Sequence, residues 1–407
     1  MDRELLWGCF HAMKEGKASG IDRITKEQYA ENLMDNLDDL IGRLHRMAYI
    51  PQPVLRVYIP KAASKKMRPL GLPAREDKWV QAALSRILQA IYEQDFIDDA
   101  YGFRPGRSCH DALRTLSQTL EKRGINHVVE ADIKGFFDHV DQEQLMKFLA
   151  HRIADKRVLR YIKRFLKAGI QEDGEYRASE RGTPQGGVIS PLLANLYLHS
   201  TLDLWFQRRF LKTCSGTAKI IRYADDYVAC FQHEADAKRF RIEMEERLNP
   251  FGLEIAPEKT KILEFGRWAQ SRAKARGERK ADTFDFLGFT HDCTTSRNGK
   301  RFQVGHKSIS QRLTAKLKQY TQWIRKHRTL CTAEIMKITV MKLRGHYAYY
   351  GVTGNSKSIN NFAYEVRKIL FKWLNRRGKR KCLNGEKFER LLQRFPLPTP
   401  RILVKLW

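Results

Sequence analysis

Three aspartates stand inside apolar runs of an otherwise strongly basic chain. Asp132 follows Val128-Val129 within the stretch His127–Ile133, and Asp225 and Asp226 sit side by side in the middle of Ile220–Val228. A lone carboxylate in a buried strand is costly unless neutralised, and adjacent like charges at a tight turn repel. A divalent cation removes both problems. Carboxylates delivered from separate strands suit two oxygen-liganded Mg2+ ions about 3.5–4 Å apart, one activating an attacking hydroxyl and one holding a phosphate chain and its leaving group. Taken singly, each motif has a plainer reading: Asp-Asp is common turn chemistry, and Asp132 suits a strand end. The combination is what points to metal chemistry.

The elements that must position these groups follow from periodicity. His127–Ile133 reads as a mostly buried strand, and Lys219–Phe231 as a strand–turn–strand hairpin with the Asp pair at its tip. Upstream, 27–47 reads as a helix, Val54–Ile59 as a strand ending at Pro60, and Glu76–Glu93 as a helix with Val80, Leu84, Ile87 and Ile91 on one face. Helices are expected over 142–151 and 155–168, a charged loop or frayed helix over 267–282, and helices again at 308–327, 333–343 and 358–376. Strands concentrate in the middle and helices at the end, so the class is α+β, with a domain boundary near 290–305.

Charge indicates the partner. The 407 residues carry a formal net charge of +29, a self-repulsion that a polyanion relieves. Residues 297–407 hold 27 Lys and Arg against 4 Asp and Glu, a surplus of 23, interleaved with Tyr320, Trp323, Tyr347, Phe371 and Trp373. That mixture favours a nucleic acid over a solvated basic face or a membrane surface. Seven scattered cysteines without a C-x-x-C pair argue for reduced thiols and against a zinc module. No apolar run reaches transmembrane length and the N-terminus lacks signal-peptide form, so an intracellular protein is expected.

Six ordered blocks carry a family resemblance. They are Tyr101-Gly-Phe-Arg-Pro-Gly-Arg107, Ala131-Asp-Ile-Lys-Gly-Phe-Phe-Asp138, the Gln-Gly block Gly182–Asn195, Arg222-Tyr-Ala-Asp-Asp-Tyr227, Gly252–Lys261 and Phe286-Leu-Gly-Phe289. Together they resemble the bacterial group II intron-encoded reverse transcriptase/maturases, from about Gly20 to about Arg380. The resemblance implies a right-hand polymerase. Fingers and palm, with an antiparallel palm sheet, would occupy 1–290, a linker 291–305, a helical thumb or maturase domain 306–385, and an extension 386–407. It implies an RNA-directed DNA polymerase, bacterial and cytoplasmic, that adds dNTPs to a DNA or RNA primer on an RNA template. Asp132, Asp225 and Asp226 would hold two Mg2+ ions, with Mn2+ as a substitute.

Further roles come with the resemblance. Lys61 and Arg68 would grip the triphosphate from a fingertip hairpin, although a solvated basic loop has the same composition. Gln185 would line the nucleotide pocket, and Gly186-Gly187 would allow close backbone approach. Lys259 would approach the leaving pyrophosphate, or be an ordinary surface lysine. Arg104 would position template or nucleotide, or else form a structural salt bridge. Phe137 would fill the space of a ribose 2′-hydroxyl and so select dNTPs; alternatively Phe136 and Phe137 are core, as one of the two must be. Arg376, Arg377, Arg380 and Lys381 would bind duplex and structured intron RNA, chiefly through backbone and shape. A thumb that only clamps duplex is the alternative. Two departures stand out: Arg23 replaces a glycine usual in its block, and the paired cysteines and histidines of an HNH endonuclease are missing, so second-strand nicking in cis is not expected.

Three biological roles fit this pattern. One is a mobile-intron reverse transcriptase with maturase function. Another is a splicing cofactor whose polymerase activity is incidental. The last is a domesticated reverse transcriptase in phage defence, DNA repair or CRISPR adaptation. The intact carboxylates favour the two enzymes over the cofactor. Replacing Arg376, Arg377, Arg380 and Lys381 together by Gln should weaken RNA binding and lower the slope of log affinity against log salt by up to about 3 to 4. Filter binding across a salt series checks this; an unaltered slope puts the main phosphate contacts elsewhere.

Overall fold

The computed structural model describes residues 1–16, 18–60, 67–122, 124–184, 186–296, 298–377 and 383–406. The chain divides into two compact units. One is built from Met1–Ala112, Val129–Ala229 and Glu234–Ile262, the other from Leu113–Val128, Cys230–His233 and Leu263–Trp407. The mixed α+β class expected from periodicity is what forms.

Eight strands come first along the chain: β1 (Val54–Pro60), β2 (Met67–Leu72), β3 (His127–Ala131), β4 (Ile170–Glu172), β5 (Glu175–Arg177), β6 (Ala218–Tyr223), β7 (Asp226–Phe231) and β8 (Lys261–Glu264). They make two four-stranded sheets, ordered β2-β1-β4-β5 and β6-β7-β3-β8. β1 and β2 pair antiparallel with Ile59 opposite Arg68, and β1 runs parallel to β4. The β4–β5 turn is Asp173-Gly174, both at positive φ (51° and 88°), the two-residue geometry that matches strand twist.

Helix Arg75–Tyr92 buries Trp79, Val80, Ala83, Leu84 and Leu88. Its start is held by Asp22, whose carboxylate accepts from the Arg75 N–H at 2.5 Å. In the same block a Cβ on Gly20 would lie 2.3 Å from the Pro73 carbonyl oxygen. Arg23, the departure noted above, adopts φ 53°. The turn therefore wants a left-handed residue, and Arg carries the strain that Gly would avoid. The helix expected over 27–47 is two: Lys26–Ala30, opened by a Thr25–Gln28 capping box, and Leu33–His45, which buries Leu37, Leu40 and Leu44. Helix Ser190–Leu198 continues through a π-helical turn, His199–Asp203, into Leu204–Arg208.

In the second unit the stretch expected as a linker, 291–305, is an antiparallel ladder. β9 (Phe284–Phe286), β10 (Phe289–Thr295) and β11 (Phe302–Ser308) form a sheet ordered β11-β10-β9, with His291 opposite His306. Both imidazoles are fully buried, and His291 stacks on Phe284 at 4.7 Å. Counting them as polar hid the inward alternation Phe289, His291 and Val304, His306. Helices Ser310–His327, Thr332–Tyr350, Ser356–Leu374 and Gly385–Arg394 follow. Asn355 joins them to β11: its Oδ1 accepts from Ser308 N at 2.9 Å while Nδ2 donates to Ser308 Oγ and to Tyr350 O. Among the described residues no helix is long and apolar enough to cross a membrane.

Candidate active site

Asp132 stands one residue beyond β3, and Asp226 opens β7. The strands are neighbours, and Asn126 N donates to Phe231 O at their opposite ends. They are thus antiparallel, which brings the Asp132 end of β3 beside the 225–226 turn. The block Gly252–Lys261 straps Asp132 from the other side: Ala256 N donates to Asp132 O at 2.8 Å, and Ile133 bridges Ile255. The Lys259 ammonium closes on the Asp132 carboxylate.

The turn itself is Ala224-Asp225, with Ala224 in the left-handed region at φ 58°. Burial pushes the Asp225 carboxyl up, and the Asp132 charge raises it further, while Arg68 and Arg222 pull it down. Lys259 is shifted upward chiefly by its hydrogen bond to Asp132, and the Asp226 charge adds to the shift. The three acids therefore share one field with Lys259 and Arg68. Among the described residues no three His, Cys, Asp or Glu side chains are arranged to hold a metal ion as they stand. The donor set nonetheless fits one: hard oxygens only, with Asp225 made protonation-prone chiefly by burial and further by the Asp132 charge, and an ammonium engaged with Asp132.

A family model described as reverse transcriptase (RNA-dependent DNA polymerase) matches residues 59–291. The group II intron-encoded protein LtrA of Lactococcus lactis subsp. cremoris is 31% identical over 87% of this chain and 69% of its own length. Protein YkfC of Escherichia coli (strain K12) is 40% identical over 52% of this chain and 55% of its own. The mitochondrial nuclear intron maturase 1 of Arabidopsis thaliana is 33% identical over 23% of this chain and 13% of its own. The chain belongs to the reverse transcriptase family. Within it, the similarity is to the group II intron-encoded members, and the enzyme is an RNA-directed DNA polymerase with an intron-related role.

Another block of this reverse transcriptase is joined to the segment that follows Asp132. Gly182 N donates to Val140 O and Thr183 N to Phe137 O, both at 2.8 Å, so the Gln-Gly block is stitched to the Phe137 segment. Phe136 is the core member of that pair; Phe137 is half-buried against it, ring centroids 5.5 Å apart. Gly186 has φ 110°, and a Cβ there would lie 2.4 Å from Gly71 O on β2. A side chain at Gly186 would therefore collide with the backbone of β2. Arg68 is exposed on β2, while Lys61 and Gln185 lie outside the described residues.

The Arg104 guanidinium is engaged within the fold. It is buried, with Nε and Nη2 on Glu93 and Nη1 on the carbonyls of Ile97 and Ala100, so its fork is consumed internally. The salt bridge weighed as the alternative is formed, to Glu93. In the second unit Arg377 ties Leu330 O and Thr332 Oγ1, and Arg376 lies over the Trp373 ring. Arg380 and Lys381 lie outside the described residues. Missed altogether was Arg222, wholly buried against Asp203. Its signal was a cation inside the apolar run Ile220–Val228, the same kind of interruption that exposed the aspartates.

Because burial and Asp132 both disfavour the ionised form of Asp225, that group's contribution to stability is complete below the ordinary carboxylate range. It is lost as pH rises through the raised value. In metal-free buffer Asp225→Asn should therefore raise the melting temperature at neutral pH, and the gain should shrink near about pH 4. Thermal melts in chelator check this; an unchanged or lowered melting temperature at neutral pH would remove the repulsion argument.

Proposed function

We propose that this reverse transcriptase joins dNTPs to a primer 3′-hydroxyl on an RNA template at Asp132, Asp225 and Asp226. The observation that carries this is the placement of Asp132, just beyond β3, beside the turn that leads through Asp225 into the neighbouring β7, where the Asp132 charge acts on Asp225. Two Mg2+ ions, or Mn2+ in their place, would be held by these carboxylates and supply charge to the attacking hydroxyl and the departing pyrophosphate. Arg68, with Lys61, would grip the triphosphate as a cation does phosphate oxygens. Its charge already reaches Asp225. Lys259, kept protonated by Asp132, would neutralise charge on the leaving pyrophosphate. Gln185 would line the nucleotide pocket, and Phe137 would exclude the ribose 2′-hydroxyl.

Residues up to about 290 would supply fingers and palm, and the helices from Ser310 onward the thumb or maturase domain. The intron names of the relatives and the basic C-terminal third support a structured intron RNA as partner, bound to assist splicing and mobility. A cytoplasmic, nucleic-acid-associated location follows from that role.

Primer extension with dNTPs and Mg2+ on an RNA template should fall at least about 100-fold in Asp225→Asn and in Asp226→Asn, the scale of losing metal-borne charge stabilisation. Normal extension by either variant rules out the site. In Phe137→Ala, discrimination against ribonucleotides, read as the ratio of kcat/KM for dNTP and rNTP, should drop about tenfold or more. An unchanged ratio leaves Phe137 without its gate.

A further inference from the structure

Arg222 is an unusual occupant of a strand interior. Its side chain is fully buried, yet its guanidinium serves three acceptors at once. Nε and Nη2 fork onto the two oxygens of Asp203 at 2.8 and 2.5 Å, and Nη1 reaches Asn195 Oδ1 at 2.8 Å and Ala224 O at 2.9 Å. The backbone of Arg222 is pinned as well: its N–H donates to Asp99 O, and its carbonyl accepts from Tyr101 N.

The contacts close into a ring around the metal-site turn. Asn195 Nδ2 donates to Gly102 O at 2.5 Å, and Gly102 abuts the turn so closely that a Cβ would lie 2.2 Å from Ala224 N. Ala224 is the left-handed residue of that turn, and Asp225 is next in the chain. Asp203 reaches Arg222 from the π-helical turn His199–Asp203, an interruption of the helix that carries Asn195 on its first segment. Such π-turns recur at functional sites because they redirect one side chain without ending the helix. Thus the blocks around Gly102, Asn195 and Ala224 are joined through one planar cation.

A core needing only stability has no use for this arrangement, since well-packed apolar side chains stabilise as well or better than a buried ion pair. What a guanidinium adds is directional control: five donors in a fixed fork set the acceptors' positions relative to one another. We propose that Arg222, held by Asp203 and Asn195, is the positioning residue that fixes the Ala224-Asp225 turn and thereby sets the affinity of the active site for its divalent cations. This rests on the reading of Asp225 and Asp226 as metal ligands.

The test is Mn2+ binding to the full chain, without nucleic acid, followed by electron paramagnetic resonance, beside circular dichroism, thermal melts and primer–template affinity. The double variant Arg222→Met/Asp203→Leu removes the two paired charges together, although His199, 3.8 Å from Asp203, loses a neighbour as well. It should fold and bind primer–template as the parent does, with half-saturating Mn2+ raised about tenfold or more, the usual cost of losing a supporting partner. Arg222→Lys keeps the charge but loses the fork, and should not restore Mn2+ affinity. A folded double variant with parental Mn2+ affinity overturns the proposal, as does full rescue by Lys. Should the double variant fail to fold, Asn195→Ala decides, because it leaves the ion pair intact: weakened Mn2+ binding supports the proposal and unchanged binding overturns it. Asp225→Asn separates the two levels. If it retains parental Mn2+ binding, the metal reading itself fails, whatever the Arg222 variants do.

Discussion

Repulsion among acids gathered at one end of a sheet is the constraint to which the rest of this reverse transcriptase answers. Asp132 follows β3 and Asp225 lies in the turn that opens the neighbouring β7, where the Asp132 charge makes its ionisation harder. Two like charges about 4 Å apart oppose each other by roughly 4 kcal/mol even at an effective dielectric near 20. Opposing charge from several directions therefore surrounds them: Lys259 from the strap, Arg68 from β2 and Arg222 from beneath. None of these neutralises the set, which leaves it receptive to a divalent ion.

Rigidity is supplied separately from charge. The turn has a non-glycine residue in the left-handed region, a conformation costing about 1–3 kcal/mol that persists only where its surroundings impose it. Gly102 presses on that residue from outside and Arg222 bonds its carbonyl from inside. Replacing a buried ion pair by apolar groups is often neutral or stabilising by about 1–4 kcal/mol, so Arg222–Asp203 is poorly explained as a stabiliser. Burial alone would raise the Asp203 carboxyl; the Arg222 guanidinium together with His199 outweighs that and holds it below its ordinary value.

Much of this could be read from residues alone, and the failures have physical causes. Strands with period-two burial and helices with Leu or Val every third or fourth position were legible, as were the charges interrupting apolar runs at Asp132 and Asp225. The hairpin of β10 and β11 was not, because its inward face is partly histidine, which pattern reading counts as polar. Arg104 stayed ambiguous because sequence cannot tell a cation that faces solvent from one whose donors are spent on Glu93 and nearby carbonyls. Arg222 escaped notice for a related reason. Its partner Asp203 lies on a different element, the π-turn after helix Ser190–Leu198, and no spacing along the chain pairs a strand residue with it.

The histidines of that second-unit hairpin bear on how the protein tolerates acid. Burial holds His306 down at about 4 from an ordinary 6.5, and burial, with the neighbouring His306, holds His291 well below that ordinary value too. An unfolded chain takes up these protons first, so each step of acidification below 6.5 favours the unfolded form, until the folded imidazoles titrate too. A ladder that needs two uncharged rings at its centre is an acid-labile joint, built into the stretch of chain that leads to the C-terminal helices.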